Sequence, residues 1–396
     1  MHFQPIMAKN YFFHGRNFST FLGGKDLGKR VRARELGIKI GTMPPGRYNA
    51  ITDVDGVGVG HSTIIEGEGP LIIGKGPVRT GVTAIVPHQG NPYEEKVRAA
   101  VYSYNAYGKA TGLLQVIHMG VIETPILLTD TLNTWIVADA LLDYMYEVVG
   151  VKAISINPVV GETNGSYLND SIGRHVRKQH VFEALQRAYS SSGTGPVEEG
   201  NVGGGTPMPG FEFKGGIGTS SRVTDGFSLG VLVQLNFGRR EDLRIDGVPV
   251  GRELSDVSPH GIQTSNSIFV VVATDLKLTS RQLWKVARRA ILGVARTGSY
   301  GGVHSGDFVI AFSTSKRDIE PLIESVQKHG GRREKRGIEL DESFLNPVYR
   351  ATVEATEEAI VNALFKAETM IGRDYHVRKA IPLDRVKEIM AKYGRL

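Results

Sequence analysis

The stretch on which the fold of this chain depends is 264-TSNSIFVVVATD-275. Four small polar residues lead directly into the unbroken apolar run from Ile268 to Ala273. A run without polar alternation is typical of a strand that is buried on both faces. Ser267 stands where a loop enters this strand, so a rigid element would hold its hydroxyl while a cleft could still reach it. A serine here can also do no more than begin a strand, and the residues alone leave both interpretations open.

The composition is that of an ordinary globular protein. The chain has 396 residues, of which 41% are apolar and 22% charged, and its formal net charge is +6. This length allows two or three domains, or one large α/β sandwich. The 49 glycines predict many tight turns and close backbone contacts.

Residue content argues against several classes of protein. The chain has no cysteine, which excludes disulfides, thiolate catalysis and zinc–thiolate sites and fits the reducing cytoplasm, where we expect the protein. No apolar run reaches the ~18–20 residues of a membrane span, and the N-terminus lacks the pattern of a signal peptide. The basic cluster at 332–336 is interpreted as a solvated loop, so we expect neither a membrane nor a nucleic-acid partner.

Hydrophobic periodicity predicts elements on both sides of the central strand. Downstream, Thr279 and Gln282 form a capping box that opens a helix, followed by a strand at 307–313 and a helix at 344–371. The upstream predictions are strands at 82–87, 113–117, 125–128, 154–160 and 227–235, helices at 94–110, 133–149 and 175–190, a glycine-rich loop at 191–222 and a polar excursion at 239–263. This order indicates two packed sheets that are covered by helices on their outer sides.

Two glycine-rich segments do not fit known ligand fingerprints. In 49-NAITDVDGVGVGHST-63, glycines alternate with valines, which predicts a strand that another backbone or a ligand approaches closely. Asp53 and Asp55 are interpreted as turn and strand-edge residues, because no third metal ligand lies at a useful spacing. The segment 214-KGGIGTSSR-222 lacks the residue order of a phosphate-binding loop, so we expect an ordered loop that packs against a neighbouring subunit.

Three motifs together resemble one known family. They are 265-SNSIFVVVATD-275, 304-HSGDFVIAFST-314 and the glycine–valine segment at 49–63. The family is that of the L-aminopeptidase/D-Ala-esterase/amidases and β-aminopeptidases, self-processing hydrolases with an N-terminal nucleophile, and the resemblance extends from about 36 to 382. It implies an α/β (α+β) fold, a single four-layer αββα sandwich of two mixed sheets flanked by helices. It also implies a cut between Asn266 and Ser267, giving chains 1–266 and 267–396.

The resemblance assigns catalytic roles to four residues. Ser267 would be the nucleophile, Ser305 and Asp307 would line it, and Asn236, which ends the strand 231-VLVQLN-236, would stabilise the oxyanion. A serine hydroxyl needs a base to take its proton. The residues predict no Ser-His-Asp triad, since the adjacent His304 and Ser305 would point to opposite faces of a strand. The freed α-amine of Ser267, with an ordinary pKa of about 7.7–8.0, could serve as the base.

The same resemblance concerns substrate, cofactor and assembly. Glu162 matches the family's amine-binding glutamate, and Asn164 stands where some relatives carry an aromatic residue. Small peptides or aminoacyl amides are the expected substrates, with no metal or organic cofactor, and cleaved αβ units are expected to form a homo-oligomer, a tetramer. The leading hypothesis is a self-processing serine aminopeptidase or amidase. The alternatives are an acyltransferase of the ornithine acetyltransferase type, which normally uses threonine, and a non-catalytic ligand-binding protein.

Overall fold

The structure, a computed structural model, describes residues 30–257, 267–315 and 342–396. The predictions for the basic cluster at 332–336, for the end of the polar excursion at 258–263 and for Asn266 fall outside the described residues.

Within the described ranges, the chain forms fourteen strands and seven α-helices. The strands are β1 Gly58–Glu66, β2 Val78–Val86, β3 Val97–Ala106, β4 Val121–Ile122, β5 Ile126–Asp130, β6 Val159–Thr163, β7 Pro209–Gly210, β8 Phe213–Lys214, β9 Ile217–Thr224, β10 Phe227–Asn236, β11 Ser267–Thr274, β12 Gly306–Ser313, β13 Met370–Ile371 and β14 Val377–Arg378. The helices are α1 Leu113–Met119, α2 Thr134–Glu147, α3 Lys178–Ala188, α4 Val250–Glu253, α5 Ser280–Arg296, α6 Leu345–Lys366 and α7 Leu383–Lys392.

Two mixed sheets form the centre of the fold. One has four strands in the order β1-β2-β5-β6, and the other has six in the order β4-β3-β12-β11-β10-β9. The pairs β5–β6 and β11–β12 are parallel, whereas the other neighbours in both sheets are antiparallel.

Three buried apolar clusters define four layers. One cluster lies between the sheets and joins Ile85 and Leu128 to Phe269 and Ile310. A second packs the six-stranded sheet against α5, α6 and α7. The third packs the four-stranded sheet against α2 and α3. The αββα sandwich expected from the sequence is therefore confirmed.

The central strand β11 is buried on both faces, as the unbroken apolar run predicts. All eight residues are buried. Ile268, Val270 and Val272 belong to the cluster under the helices, while Phe269 and Val271 face the other sheet. The predicted capping box is present at the start of α5, where the Thr279 hydroxyl accepts the Gln282 N–H and the Gln282 side chain accepts the Thr279 N–H.

Several predicted elements were wrong. Residues predicted as a helix at 94–110 form β3, which pairs antiparallel with β12. The strand predicted at 113–117 is the short helix α1, bounded by Gly112 and Gly120, both in left-handed conformation. The strand predicted at 154–160 begins only at Val159. In each case, tertiary pairing or a backbone turn overrode the local pattern.

The predicted loop at 191–222 contains β9, whose small residues make room for α6. A Cβ added at Gly218 would lie 2.0 Å from the Ala359 carbonyl oxygen. Lys214 is fully buried and donates to the carbonyls of Gly205, Met208 and Gly215. The Lys214 amine is therefore hydrogen-bonded inside the protein. Packing of the segment 191–222 against another subunit stays a prediction.

The glycine–valine segment is approached by another backbone, as predicted. A Cβ at Gly58 would lie 2.1 Å from the Ala188 carbonyl oxygen, and one at Gly60 would lie 2.2 Å from that of Ala184. Helix α3 therefore packs directly on the bare backbone of β1. Asp53 has the predicted turn role, since its carboxylate accepts nearby backbone N–H groups and the Ser221 hydroxyl.

Candidate active site

A cleft of about 330 Å³ opens where strand ends from the two sheets meet, and Ser267 lies in its wall. The contributing ends are the start of β11 and the ends of β6 and β5, together with the segments that follow β3 and precede β12. The lining residues are Tyr107, Lys109, Thr131, Glu162, Asn164, Ser267 and His304.

Ser267 is held by strands on both sides. It pairs with Asn236 across the antiparallel β10–β11 ladder, and the next residue, Ile268, pairs with Asp307 across the parallel β11–β12 ladder. The Gly306 N–H donates to the Ser267 hydroxyl oxygen over 3.1 Å. The side chain is 8% exposed, so the hydroxyl is fixed by the sheet and open only towards the cleft.

Ser305 and Asp307, the residues immediately before and after Gly306, form a buried pair. The Ser305 hydroxyl donates to Asp307 Oδ1 over 2.6 Å. Burial raises the pKa of Asp307 to about 6, although the hydrogen bonds from Ser305 and from the Ile268 N–H lower it. The carboxyl therefore titrates just below neutral pH, which suits a group that exchanges protons.

Asn236 joins the two sheets at the cleft. Its Nδ2 donates to the Asn164 carbonyl oxygen over 3.0 Å. The side chain of Asn164 is turned into its own loop, where its Oδ1 accepts the Ser166 N–H. Asn164 thus contributes its backbone carbonyl to the link with Asn236 and also lines the cleft.

Glu162 is the buried carboxylate of the cleft, 6% exposed at the end of β6. Its Oε1 accepts the Lys109 N–H over 2.9 Å and lies 3.8 Å from the Lys109 ammonium. Its Oε2 makes no hydrogen bond to any described residue, and neither does the buried hydroxyl of Thr131. Burial raises the pKa of Glu162, while Lys109 and the nearby Thr131 hydroxyl lower it.

The loop that follows Glu162 is anchored by Asp130, a fully buried carboxylate at the end of β5. Asp130 accepts the Gly165 N–H and the side chains of Asn169 and Ser171. Four hydrogen bonds, including that from the Thr131 N–H, satisfy a charge that burial makes costly. This network fixes the position of the Glu162 end of the cleft.

The structure brings most of the predicted residues to one place. Ser267, Glu162 and Asn164 line the cleft, and Asn236, Ser305 and Asp307 stand immediately around Ser267. His304 is exposed and packs edge-on against Tyr107, with ring centroids 5.0 Å apart. Sequence reasoning missed Lys109, Thr131 and the Gly306 N–H, because an ordinary lysine, threonine or glycine in a loop carries no motif.

Metal-ligand clusters and membrane-spanning helices are both absent from the described residues. Within the ranges given above, no three His, Asp or Glu side chains cluster as metal ligands. No helix in the same ranges is long and apolar enough to cross a bilayer.

Residues 49–378 match the model of peptidase family S58, and the chain belongs to this family. The family match defines the class of protein as a peptidase.

Individual relatives agree with that assignment. The chain is 44% identical over 386 residues to the beta-peptidyl aminopeptidase BapA of Sphingosinicella xenopeptidilytica, covering 92% of each protein. A crystal structure of a Pyrococcus horikoshii OT3 protein is similar with a TM-score of 0.81 and 51% identity, over 92% of this chain and 100% of that one. The L-aminopeptidase D-Ala-esterase/amidase of Ochrobactrum anthropi, described as a variant of the Ntn hydrolase fold, is similar with a TM-score of 0.79 and 40% identity, over 92% and 99%.

Proposed function

We propose that this protein is a self-processing serine aminopeptidase or amidase. It releases N-terminal residues from small peptides, amino-acid amides or esters, and its nucleophile is Ser267 after the bond to Asn266 has been cut. The observation that carries the proposal is the position of Ser267, which opens a buried central strand in the wall of a cleft that also contains a buried carboxylate.

Self-cleavage begins with attack of the Ser267 hydroxyl on the Asn266 carbonyl carbon. The C–N bond then breaks, the Ser267 nitrogen takes up a proton, and the Asn266 acyl group is left as an ester on the hydroxyl. Water then hydrolyses this ester, so that Ser267 is left with a free hydroxyl as well as a free α-amine. Before the cut no free amine exists, and the Ser305–Asp307 pair is the candidate proton acceptor. With a pKa of about 6, Asp307 is mostly ionised at neutral pH.

Hydrolysis of a substrate repeats this chemistry with a better base. The free α-amine of Ser267, with an ordinary pKa of about 7.7–8.0, takes the hydroxyl proton as the oxygen attacks the scissile carbonyl. The leaving amine receives that proton, and water then hydrolyses the acyl-enzyme. Asn236, paired with Ser267 across the ladder, is the proposed donor to the oxyanion, and one such donor is worth roughly 3–4 kcal/mol.

Glu162 is proposed to determine which peptide bond of the substrate is cut. A buried carboxylate in a small cleft binds an ammonium group strongly because little water competes. It would hold the free N-terminus of the substrate, so that the first amide carbonyl lies at Ser267. An exopeptidase, which removes one residue at a time, follows from this placement.

The decisive experiment is mass spectrometry of the purified protein under denaturing conditions, with N-terminal sequencing. Cleavage before Ser267 predicts fragments of 266 and 130 residues, about 29 and about 14 kDa in proportion to the 43.1 kDa chain. The smaller fragment would begin Ser-Ile-Phe. Ser267→Ala should stay intact, whereas Ser299→Ala, a serine outside the cleft lining, should be cut normally. A wild-type chain that stays at 43.1 kDa and hydrolyses no aminoacyl amide would overturn the proposal.

The assembly is a separate part of the proposal. A tetramer of cleaved units is expected, and light scattering during size-exclusion chromatography measures it directly. A monomeric cleaved species would contradict the tetramer and leave the chemistry untouched.

A further inference from the structure

Lys109 places a positive charge against the carboxylate that is proposed to bind the substrate amine. Its ammonium lies 3.8 Å from Glu162 Oε1, too far for a hydrogen bond, and its side chain is 43% exposed. Glu162 is its only ion-pair partner among the described residues. The ammonium is therefore loosely held and lies in the cleft wall.

The other side of Glu162 carries acceptors that a second ammonium could use. Oε2 and the Thr131 hydroxyl are both buried and have no hydrogen-bond partner among the described residues. A primary ammonium has three donors and needs such acceptors. Oε1 already accepts the Lys109 N–H, so Oε2 and the Thr131 hydroxyl are the acceptors left for a substrate amine in the cleft that both residues line.

This arrangement puts two cations around one carboxylate. Each would lie on a different oxygen of Glu162, so the two ammonium groups would be roughly 6 Å apart in a partly desolvated cleft, where like charges repel appreciably. A neutral side chain on the N-terminal residue of the substrate leaves this repulsion in place, and a basic side chain increases it. A carboxylate on the acyl side chain removes it, because the charges then alternate from Glu162 to substrate amine to substrate carboxylate to Lys109.

We propose that Lys109 is a specificity-determining residue that selects substrates whose N-terminal residue carries an acidic side chain. This inference rests on the proposed aminopeptidase function and names the substrate class of the same cleft. Lys109 acts on the side chain of the substrate, whereas its backbone N–H holds Glu162 and is kept in every variant.

The test compares kcat/KM for the p-nitroanilides of glutamate, alanine and lysine, each with a free amine, at pH 8 and low salt. In the wild-type enzyme we expect glutamate to exceed alanine, and alanine to exceed lysine, by at least about tenfold each, the effect of one partly desolvated charge pair. Lys109→Met should bring both ratios close to one. Lys109→Arg should keep them, and so should Lys152→Met, which removes an exposed lysine outside the cleft. Added salt should shrink the ratios in the wild type only, because a half-exposed cation is screened.

Two outcomes overturn the inference while leaving the proposed function intact. One is a wild-type enzyme that hydrolyses alanine p-nitroanilide at least as well as the glutamate compound. The other is an acidic preference that Lys109→Met does not change. If no compound is hydrolysed, the proposed function fails, and calorimetric binding of glutamate α-amide and alaninamide to wild type and Lys109→Met then decides the role of Lys109 by the same ratios.

Discussion

Replacing Asp307 by asparagine is expected to stabilise the fold above pH 6 while it abolishes self-processing. Burial raises the pKa of this carboxyl from 3.8 to about 6. The folded state therefore holds the proton more tightly than the unfolded chain does, and the free energy of unfolding falls as pH rises from about 4 to about 6. The difference between the two pKa values corresponds to a loss of roughly 3 kcal/mol in the free energy of unfolding, since one pKa unit is worth about 1.4 kcal/mol. Asparagine carries no charge and can still accept the hydrogen bond from Ser305.

The assay is urea unfolding at a series of pH values from 3.5 to 8. Both proteins carry Ser267→Ala, so that each stays a single uncut chain and only residue 307 differs. We expect equal stability near pH 3.5 and a gain for the asparagine variant that grows to about 1–3 kcal/mol above pH 6. A gain that does not vary with pH, or a loss of stability at pH 8, would refute the assignment of a costly buried charge to Asp307.

Three further changes are expected to have distinct results. Gly60→Ala should lower the melting temperature by an amount equivalent to about 1–3 kcal/mol, because its Cβ would lie 2.2 Å from the Ala184 carbonyl oxygen in α3. Gly226→Ala, whose Cβ has its nearest neighbour at 3.9 Å, is the control and should melt like the wild type. Asn236→Ala should lower kcat by roughly 10²–10³ with KM little changed, measured on alanine p-nitroanilide with processed enzyme; a change confined to KM would place Asn236 in binding. Glu162→Gln should raise KM for free-amine substrates at least about tenfold, and an unchanged KM in steady-state kinetics would contradict amine binding there.

The sequence predicted best where one segment alone determines the structure. The apolar run of β11 needs two covering layers, whatever those layers are. The capping box of Thr279 and Gln282 satisfies the helix end within four residues. In both cases the decisive interactions are local or depend only on burial, so residue type suffices to predict them.

Prediction failed where the secondary structure of a segment depends on an element that is distant in the sequence. The residues of β3 include several alanines that suit a helix, but pairing with β12, about 200 residues away along the chain, makes them a strand. β9 looks like a loop because it is rich in small polar residues. Its Gly218 is required by the close approach of α6, and its Arg222 is buried against Glu354 and Glu358 of that helix.

The candidate site divides in the same way. The nucleophile and its neighbours follow from motifs at strand ends and from the family resemblance. Lys109 follows β3 in one sheet and Thr131 follows β5 in the other. Pairing of β5 with β6 carries Thr131 to Glu162, but only the packing of the two sheets brings Lys109 there. No residue pattern in a single sequence records that encounter.

The strand order of the six-stranded sheet has a consequence for how this protein would hold together after a cut before Ser267. β11 and β12 come from the later piece, yet they lie between β10 and β3 of the earlier one. The two pieces would be interleaved, so they could separate only by breaking ladders on both sides of the inserted pair. Folding as one chain is a first-order event, whereas reassembly of separated pieces would depend on their concentration. Refolding of the cut protein from dilute solution would therefore be slower than refolding of the uncut chain.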